Sequence, residues 1–346
     1  LNKSLKSFLQ FILFLGLGLT ILYFVFSKYQ ANYEIECVAN NIAAKDCSLV
    51  TKIWLDFKSS SWIFIAISIG IYILSNVLRT LRWNLLLQPL GYHVKFLNGF
   101  GAIMIGYITS LAIPRIGEVL RAGVVAKYED IPSEKAFGTI ISERVIDFVM
   151  LIIVSLIAVL ISYKTIIDYL KDNAVLKVGI SLQATIIGVC MFLATATITF
   201  YYRNLLMNSA LGQKIITLVK GLFEGIMSIF KMKNRLAFIL YTLGIWLCYF
   251  VMTLTMLYAL PATAHLGGET AMMILLFGSL GLIVPTPGGM GSYHFLLVEA
   301  LSIFGVSKVD GFSFANLIFF SINIFGNILL GLAAYIALPL LNQKKS

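Results

Sequence analysis

The chain has 346 residues, of which 59% are hydrophobic and 12% charged, with a formal net charge of +10 and a mean hydropathy of +0.92. A soluble domain carries about a quarter of its residues as Asp, Glu, Lys or Arg, so this composition excludes a water-soluble globular protein. The basic excess does not point to nucleic acid, because lysines and arginines gather at the ends of apolar runs, where cytoplasmic loops and lipid head groups hold them.

Charge-free runs recur at 8–26, 59–78, 96–114, 178–202, 236–260, 270–298 and 311–341, and 136–163 joins them apart from one charged cluster. Each is close to or above the about 20 residues that a transmembrane helix needs. The runs are solid rather than alternating, which excludes a β-barrel. They predict an all-α, polytopic integral membrane protein in which 1–346 is a single transmembrane domain.

In chain order, Lys3 and Lys6 precede the span 8–26. That run exceeds a signal-peptide core and no small-residue cleavage site follows, so it reads as a retained span. The loop 27–58 balances four lysines against four acids and holds Cys37 and Cys47. These two can pair if the loop faces an oxidising compartment. Arg79, Arg82 and Lys95 follow the span 59–78. Residues 203–235 carry Arg203, Lys214, Lys220, Lys231, Lys233 and Arg235 against Glu224 alone. There Leu211, Ile215, Leu218, Leu222, Ile226 and Ile229 share a helical face, as in an interfacial or packed cytoplasmic connector. Cys190 and Cys248 lie inside apolar runs and read as packing residues. Lys344 and Lys345 end the chain. The positive-inside rule puts these basic groups and both termini in the cytoplasm, with the protein in the cell (inner) membrane and loop 27–58 outside.

Six spans (8–26, 59–78, 136–163, 178–202, 236–260 and 311–341) satisfy every charge bias. The segments 96–127 and 270–305 then enter and leave on one side each, the first from the cytoplasm and the second from outside. Both carry helix breakers, in "GYITSLAIPRIGEVLR" and "GSLGLIVPTPGGMGSYHF". Pro114-x-x-Gly117 aligns with Pro285-x-x-Gly288, each proline follows a β-branched residue (Ile113, Val284), and Ser110 or Gly281 stands four before it. The pattern predicts an inverted repeat of 59–163 and 236–341, with two re-entrant or broken hairpins facing each other where transporters place their substrates. Eight spans, two of them kinked at proline, are the alternative, and 115–135 then lies outside. Irregular backbone at membrane depth is tolerated only where it is buried in protein or lines a wet cavity. Pro285 and Pro287 end a helix. Gly288, Gly289 and Gly291 permit positive φ and close approach of a ligand or a neighbouring backbone, and freed N–H groups can meet an anion.

The intramembrane charges form two groups. Arg115, Glu118 and Arg121 recur every three residues in "PRIGEVLRAG", and Glu143, Arg144 and Asp147 lie in "SERVIDF". A helix starting near Ser133 puts Asp147 roughly 20 Å along its axis, where each charge costs about 2.5–3.5 kcal/mol. The six charges sum to zero, so one reading is a self-neutralising clamp between hairpin and helix. In the other, the arginines bind phosphate, for which guanidinium is suited, and the carboxylates hold them when the site is empty or take a proton to couple transport. Asn316, Asn323 and Asn327 share one face of the last span, as inward-pointing interhelical hydrogen-bonding groups or as pathway lining. His93, His265 and His294 are scattered, and "HLGGE" is not a zinc-protease motif. With no nucleotide-binding or serine-nucleophile motif, no metal, cofactor or ATP-driven mechanism is expected.

In order, "PRIGEVLRAG", "SERVIDF" and "VPTPGGMGSYH" make the chain resemble the flippase-like transmembrane region of lysylphosphatidylglycerol synthases, over roughly 60–340. Synthases of that family add a soluble aminoacyl-transferase domain, and this sequence ends at Ser346 before one. The resemblance therefore implies the part that moves or binds lipids and no enzyme activity. It carries Arg115, Glu118, Arg121, Glu143, Arg144, Asp147, Pro285, Gly288, Gly289 and Gly291 as substrate-binding residues. Three positions after the last glycine the family commonly has glutamate; His294 stands there. This puts carboxylate coupling at that hairpin in doubt and offers a donor that titrates near neutrality, or a plain interior hydrogen-bonding residue. The expectation is a translocator of a phospholipid (anionic or aminoacylated) or a polyprenyl-phosphate-linked lipid. Its partners are membrane lipids, and a separate transferase or a second copy is open. A subunit presenting lipid to a glycosyl- or aminoacyl-transferase is the alternative, and a carrier of small polar solutes a third reading.

Overall fold

The computed structural model describes residues 3–43, 47–114, 116–172 and 233–343. The span expected at 178–202 with Cys190, nearly all of the connector 203–235, and Arg115 lie outside them. Among the described residues all regular structure is helical, and the chain is an all-α, multi-pass membrane protein. The helices are α1 (Lys3–Ala39), α2 (Leu49–Ser59), α3 (Trp62–Leu87), α4 (Phe96–Ala112), α5 (Ile116–Glu129), α6 (Ser133–Ile161) and α7 (Tyr163–Asp172). After the gap come α8 (Arg235–Leu257), α9 (Gly268–Ile283), α10 (Ser292–Ser302) and α11 (Lys308–Leu341), the last with a π-helical stretch at Phe319–Gly326. Four described helices, α3 with its 3-10 extension to Leu90, α6, α8 and α11, are long and apolar enough to cross a membrane.

Two expected boundaries shift. The loop foreseen at 27–58 is largely helix. α1 continues to Ala39, and α2 starts on Ser48, whose hydroxyl accepts from the Thr51 N–H. A disulfide joins Cys37 to Cys47, with Cα atoms 6.4 Å apart. The second span also does not stop at 78, so Arg79 and Arg82 lie inside α3 rather than in a loop after it.

Hydrogen bonds fix the relative directions of the helices. α3 and α8 are antiparallel: the Ser61 N–H donates to the Ala259 carbonyl at 2.8 Å at one end, and Arg82 reaches Thr242 at 3.5 Å near the other. One end of the bundle, the C-terminal face, gathers the start of α4 and the ends of α5 and α11. There the Asn98 and Asn342 amides exchange bonds at 2.8 and 2.9 Å, and Glu129 accepts from the Lys95 N–H and from Asn98. The opposite end, the α2 face, gathers the start of α9, the end of α10 and the start of α11. Thr165 donates to Glu269 at 2.6 Å, and Lys52 bridges Asp56 and Asp310. Each hairpin, α4–α5 and α9–α10, therefore begins and ends on one face, and the two come from opposite faces.

The tips are built from breakers. α4 ends at Ala112 ahead of Pro114. A Cβ on Gly117 would collide with the Gly106 carbonyl and the Ser110 hydroxyl, so the two arms of the first hairpin close on backbone. In the second, a Cβ on Gly281 would sit 2.7 Å from the Cα of Tyr293, and Ser292 donates to the Gly281 carbonyl at 2.8 Å. Its tip is a 3-10 turn, Pro287–Gly289, with positive φ at Gly288, Gly289 and Gly291. A Cβ on Gly291 would also stand 2.6 Å from Ile21, because α1 lies directly against this tip.

Candidate functional site

Between the hairpins lies a cavity of about 440 Å³. Tyr107, Ser110, Pro114, Glu118 and Arg121 line it from the first hairpin, and Leu282, Ile283, Pro285, Gly288 and Gly289 from the second. Tyr72 of α3, Arg144 of α6, Tyr249 of α8, and Asn323 and Asn327 of α11 complete the wall. Most of the surface is apolar, and the charged groups lie toward α5 and α6.

Behind that wall is an ion-pair network. Glu143 is fully buried and holds Arg79 at 2.9 Å, Arg82 at 3.2 Å and Arg121 at 2.8 Å. Asp147 holds Arg82 at 2.7 Å and stands 3.5 Å from Arg79. Arg144 pairs with Glu118 at 3.2 Å and reaches Glu143 and Asp147 at 3.4 and 3.6 Å. Aromatic groups complete the shell: the Arg121 guanidinium lies 3.8 Å from the centre of the Trp83 ring, and Arg79 donates to the Tyr249 hydroxyl at 2.7 Å. Desolvated charges persist only when paired and hydrogen-bonded. The helical spacing of α3 (79, 82) and α6 (143, 147) turns both sets toward each other, one turn apart on each helix.

The structure distributes the expected residues as follows. Glu118, Arg121, Arg144, Pro285, Gly288 and Gly289 line the cavity, and Glu143 and Asp147 stand behind it as the anchors of its arginines. Gly291 faces α1. His294 is 1% exposed, lies outside the cavity lining, and packs 4.7 Å from the Phe319 ring with Asn316 as its polar neighbour. Arg115 is not among the described residues. The three asparagines do not share a face: Asn316 sits by His294, whereas Asn323 and Asn327 line the cavity, where the Tyr72 hydroxyl donates to Asn327.

Sequence reasoning missed Arg79 and Arg82. Their charge was assigned to a cytoplasmic loop, yet "WNLLL" continues the apolar run beyond them, a signal that the helix carries on. With them the balance changes. Among the described residues four arginines meet three carboxylates, so the cluster is not self-neutralising but has a cation in excess.

No group of three or more His, Cys, Asp or Glu side chains suited to a metal ion occurs among the described residues. In comparisons with known proteins, no solved structure matches the chain. A UPF0104 membrane protein of Methanocaldococcus jannaschii is 32% identical over 87 residues, 24% of this chain and 26% of that one. A UPF0104 membrane protein of Pyrococcus horikoshii is 23% identical over 273 residues, 71% of this chain and 78% of that one. Glycosyltransferase AglD of Haloferax volcanii is 30% identical over 264 residues, 66% of this chain and 42% of the longer relative. The family model described as lysylphosphatidylglycerol synthase TM region matches residues 43–331, which include both hairpins and every charged residue of the network. The chain belongs to the lysylphosphatidylglycerol synthase TM region family.

Proposed function

We propose that this chain is a lipid translocator with six spans and two re-entrant hairpins, moving a phospholipid or a polyprenyl-phosphate-linked lipid between leaflets through the cavity. The observation that carries the reading is the cavity itself: hairpins from opposite faces meet across it, and its wall holds more arginine than carboxylate. Arg121 and Arg144 are placed to receive a phosphate, since a charge-assisted bond to guanidinium is the strongest contact available to one. The apolar remainder of the wall suits the first methylenes of the acyl or prenyl chains that follow the head group. The disulfide of Cys37 and Cys47 supports placing the α2 face outside, where disulfides persist.

The test is transbilayer movement of labelled phospholipids in liposomes holding the purified protein. An Arg121→Gln/Arg144→Gln variant should slow movement by at least about tenfold, the loss of one charge-assisted hydrogen bond of about 1.5 kcal/mol. Equal rates in a folded variant overturn the cavity route.

A second reading is favoured by one comparison. The relative named a glycosyltransferase is matched over 42% of its length, an arrangement in which a membrane part of this kind accompanies a transferase. In that reading the cavity presents lipid without moving it, so binding without movement across zwitterionic, anionic, aminoacylated and polyprenyl lipids is its expected result.

A further inference from the structure

We propose that the Glu118–Arg144 ion pair is a latch across a lateral portal of the cavity, and that the phosphate of an anionic phospholipid from the surrounding bilayer displaces Glu118 from Arg144. This rests on reading the cavity as a lipid site.

Burial separates these two residues from the rest of the network. Their side chains are 38% and 40% exposed, whereas Arg79, Arg82, Arg121 and Glu143 are at most 5% and Asp147 15% exposed. Arg144 lies on an outward stripe of α6 with Ile141 and Phe148, three before and four after it, and both neighbours are half-exposed. A cation on a lipid-facing stripe is costly unless it borders a polar opening. Exposed apolar groups come from both hairpins: Leu282 and Ile283 at the second tip line the cavity and are themselves exposed, and on the first Val119 is exposed next to Glu118. The portal thus has a charged sill in an apolar frame, which matches a head group and acyl chains together and does not match a free anion.

The strengths of the contacts decide which pair can open. Glu143 is committed to three deeply buried arginines, and breaking a buried pair is strongly unfavourable. The Glu118–Arg144 pair is partly exposed and correspondingly weak. When Glu118 leaves, Arg144 keeps Glu143 and Asp147 within 3.6 Å, so the cation is never left unpaired. A phosphate entering at this point restores the contact that Glu118 gave up and meets the excess positive charge behind it.

The experiment is equilibrium binding of fluorescent phosphatidylglycerol to the full-length protein in detergent, with glycerol phosphate and inorganic phosphate as tail-less probes. Wild type, Glu118→Gln, Arg144→Gln and the double variant are compared. Glu118→Gln should bind the lipid several-fold more tightly, Arg144→Gln several-fold more weakly, and the double variant should match Arg144→Gln. Glu118→Asp, which keeps the charge, should stay near wild type, and thermal melting of each variant reports folding. Unchanged or weaker lipid binding by folded Glu118→Gln overturns the latch, as does the same gain in the Arg144→Gln background. Tail-less probes binding as tightly as the lipid overturn the lipid portal in favour of a plain anion site. Tighter binding by Glu118→Gln with no lipid movement by any form leaves the latch and removes translocation; movement by wild type with no Glu118→Gln effect on binding does the reverse.

Discussion

Glu143 is the residue on which the charged network turns. It makes close ion pairs with arginines from α3 and α5 and has no solvent exposure. Replacing it with glutamine leaves three buried guanidinium groups short of a partner, and we expect Glu143→Gln to destabilise the protein by about 3–5 kcal/mol. Arg144→Gln removes the partly exposed pair with Glu118 and two longer contacts to Glu143 and Asp147, both of which keep closer arginines, so its expected cost is smaller, about 1 kcal/mol. Thermal unfolding in detergent measures both, and similar melting temperatures for the two variants would contradict this ranking. The acids and Arg144 were legible because charge inside an apolar run is conspicuous. Arg79 and Arg82 were not, because arginine near the end of a run has an ordinary explanation in the positive-inside rule. The local signal against it is the apolar run that resumes after Arg82, and the acids that answer the two arginines lie on α6, distant in sequence.

Each broken hairpin depends on a few positions where a side chain has no room. Gly291 combines φ of +85° with a Cβ position 2.6 Å from Ile21, while Gly70, within α3, has nothing within 4 Å. Gly291→Ala therefore carries backbone strain and a collision, each of order 1 kcal/mol or more. Gly70→Ala gains about 1 kcal/mol of helix propensity. Opposite shifts in melting temperature are the expected result, and equal shifts would remove the special role of this tip. The hairpins were legible in the sequence because proline and glycine interrupt helices wherever they occur. What the glycines accommodate was open between a ligand and a neighbouring backbone. For Gly291 the neighbour is α1, which precedes the family match beginning at residue 43.

At the scale of the whole molecule, the two hairpins make a topological statement that labelling can check. The segments at His93 and Asp130 flank the first hairpin on the C-terminal face, and His265 lies at the α2 face; all three are exposed. Single cysteines at 93 and 130 should react with an impermeant maleimide from the same side, and one at 265 from the other. Eight ordinary spans would put 93 and 130 on opposite sides. The sequence conveyed this arrangement through charge bias and proline alignment, but it misplaced the asparagines of the last span, and the cause lies in the π-helical stretch. α11 packs beside the second hairpin through Gly311 and Phe312, and against the first through Gly331 and Leu338. A π turn takes in an extra residue, so everything after Phe319–Gly326 is rotated by roughly 100°, one residue's worth of helical turn, from where a straight α-helix would carry it. The stretch acts as a phase plate between the two halves. Asn316 keeps the phase of the second hairpin and meets His294, whereas Asn323, within the stretch, and Asn327, just after it, are turned to the cavity. A shortening by one residue there would put both ends of the helix back in step, and seating either half on its hairpin would then turn the other away from its own.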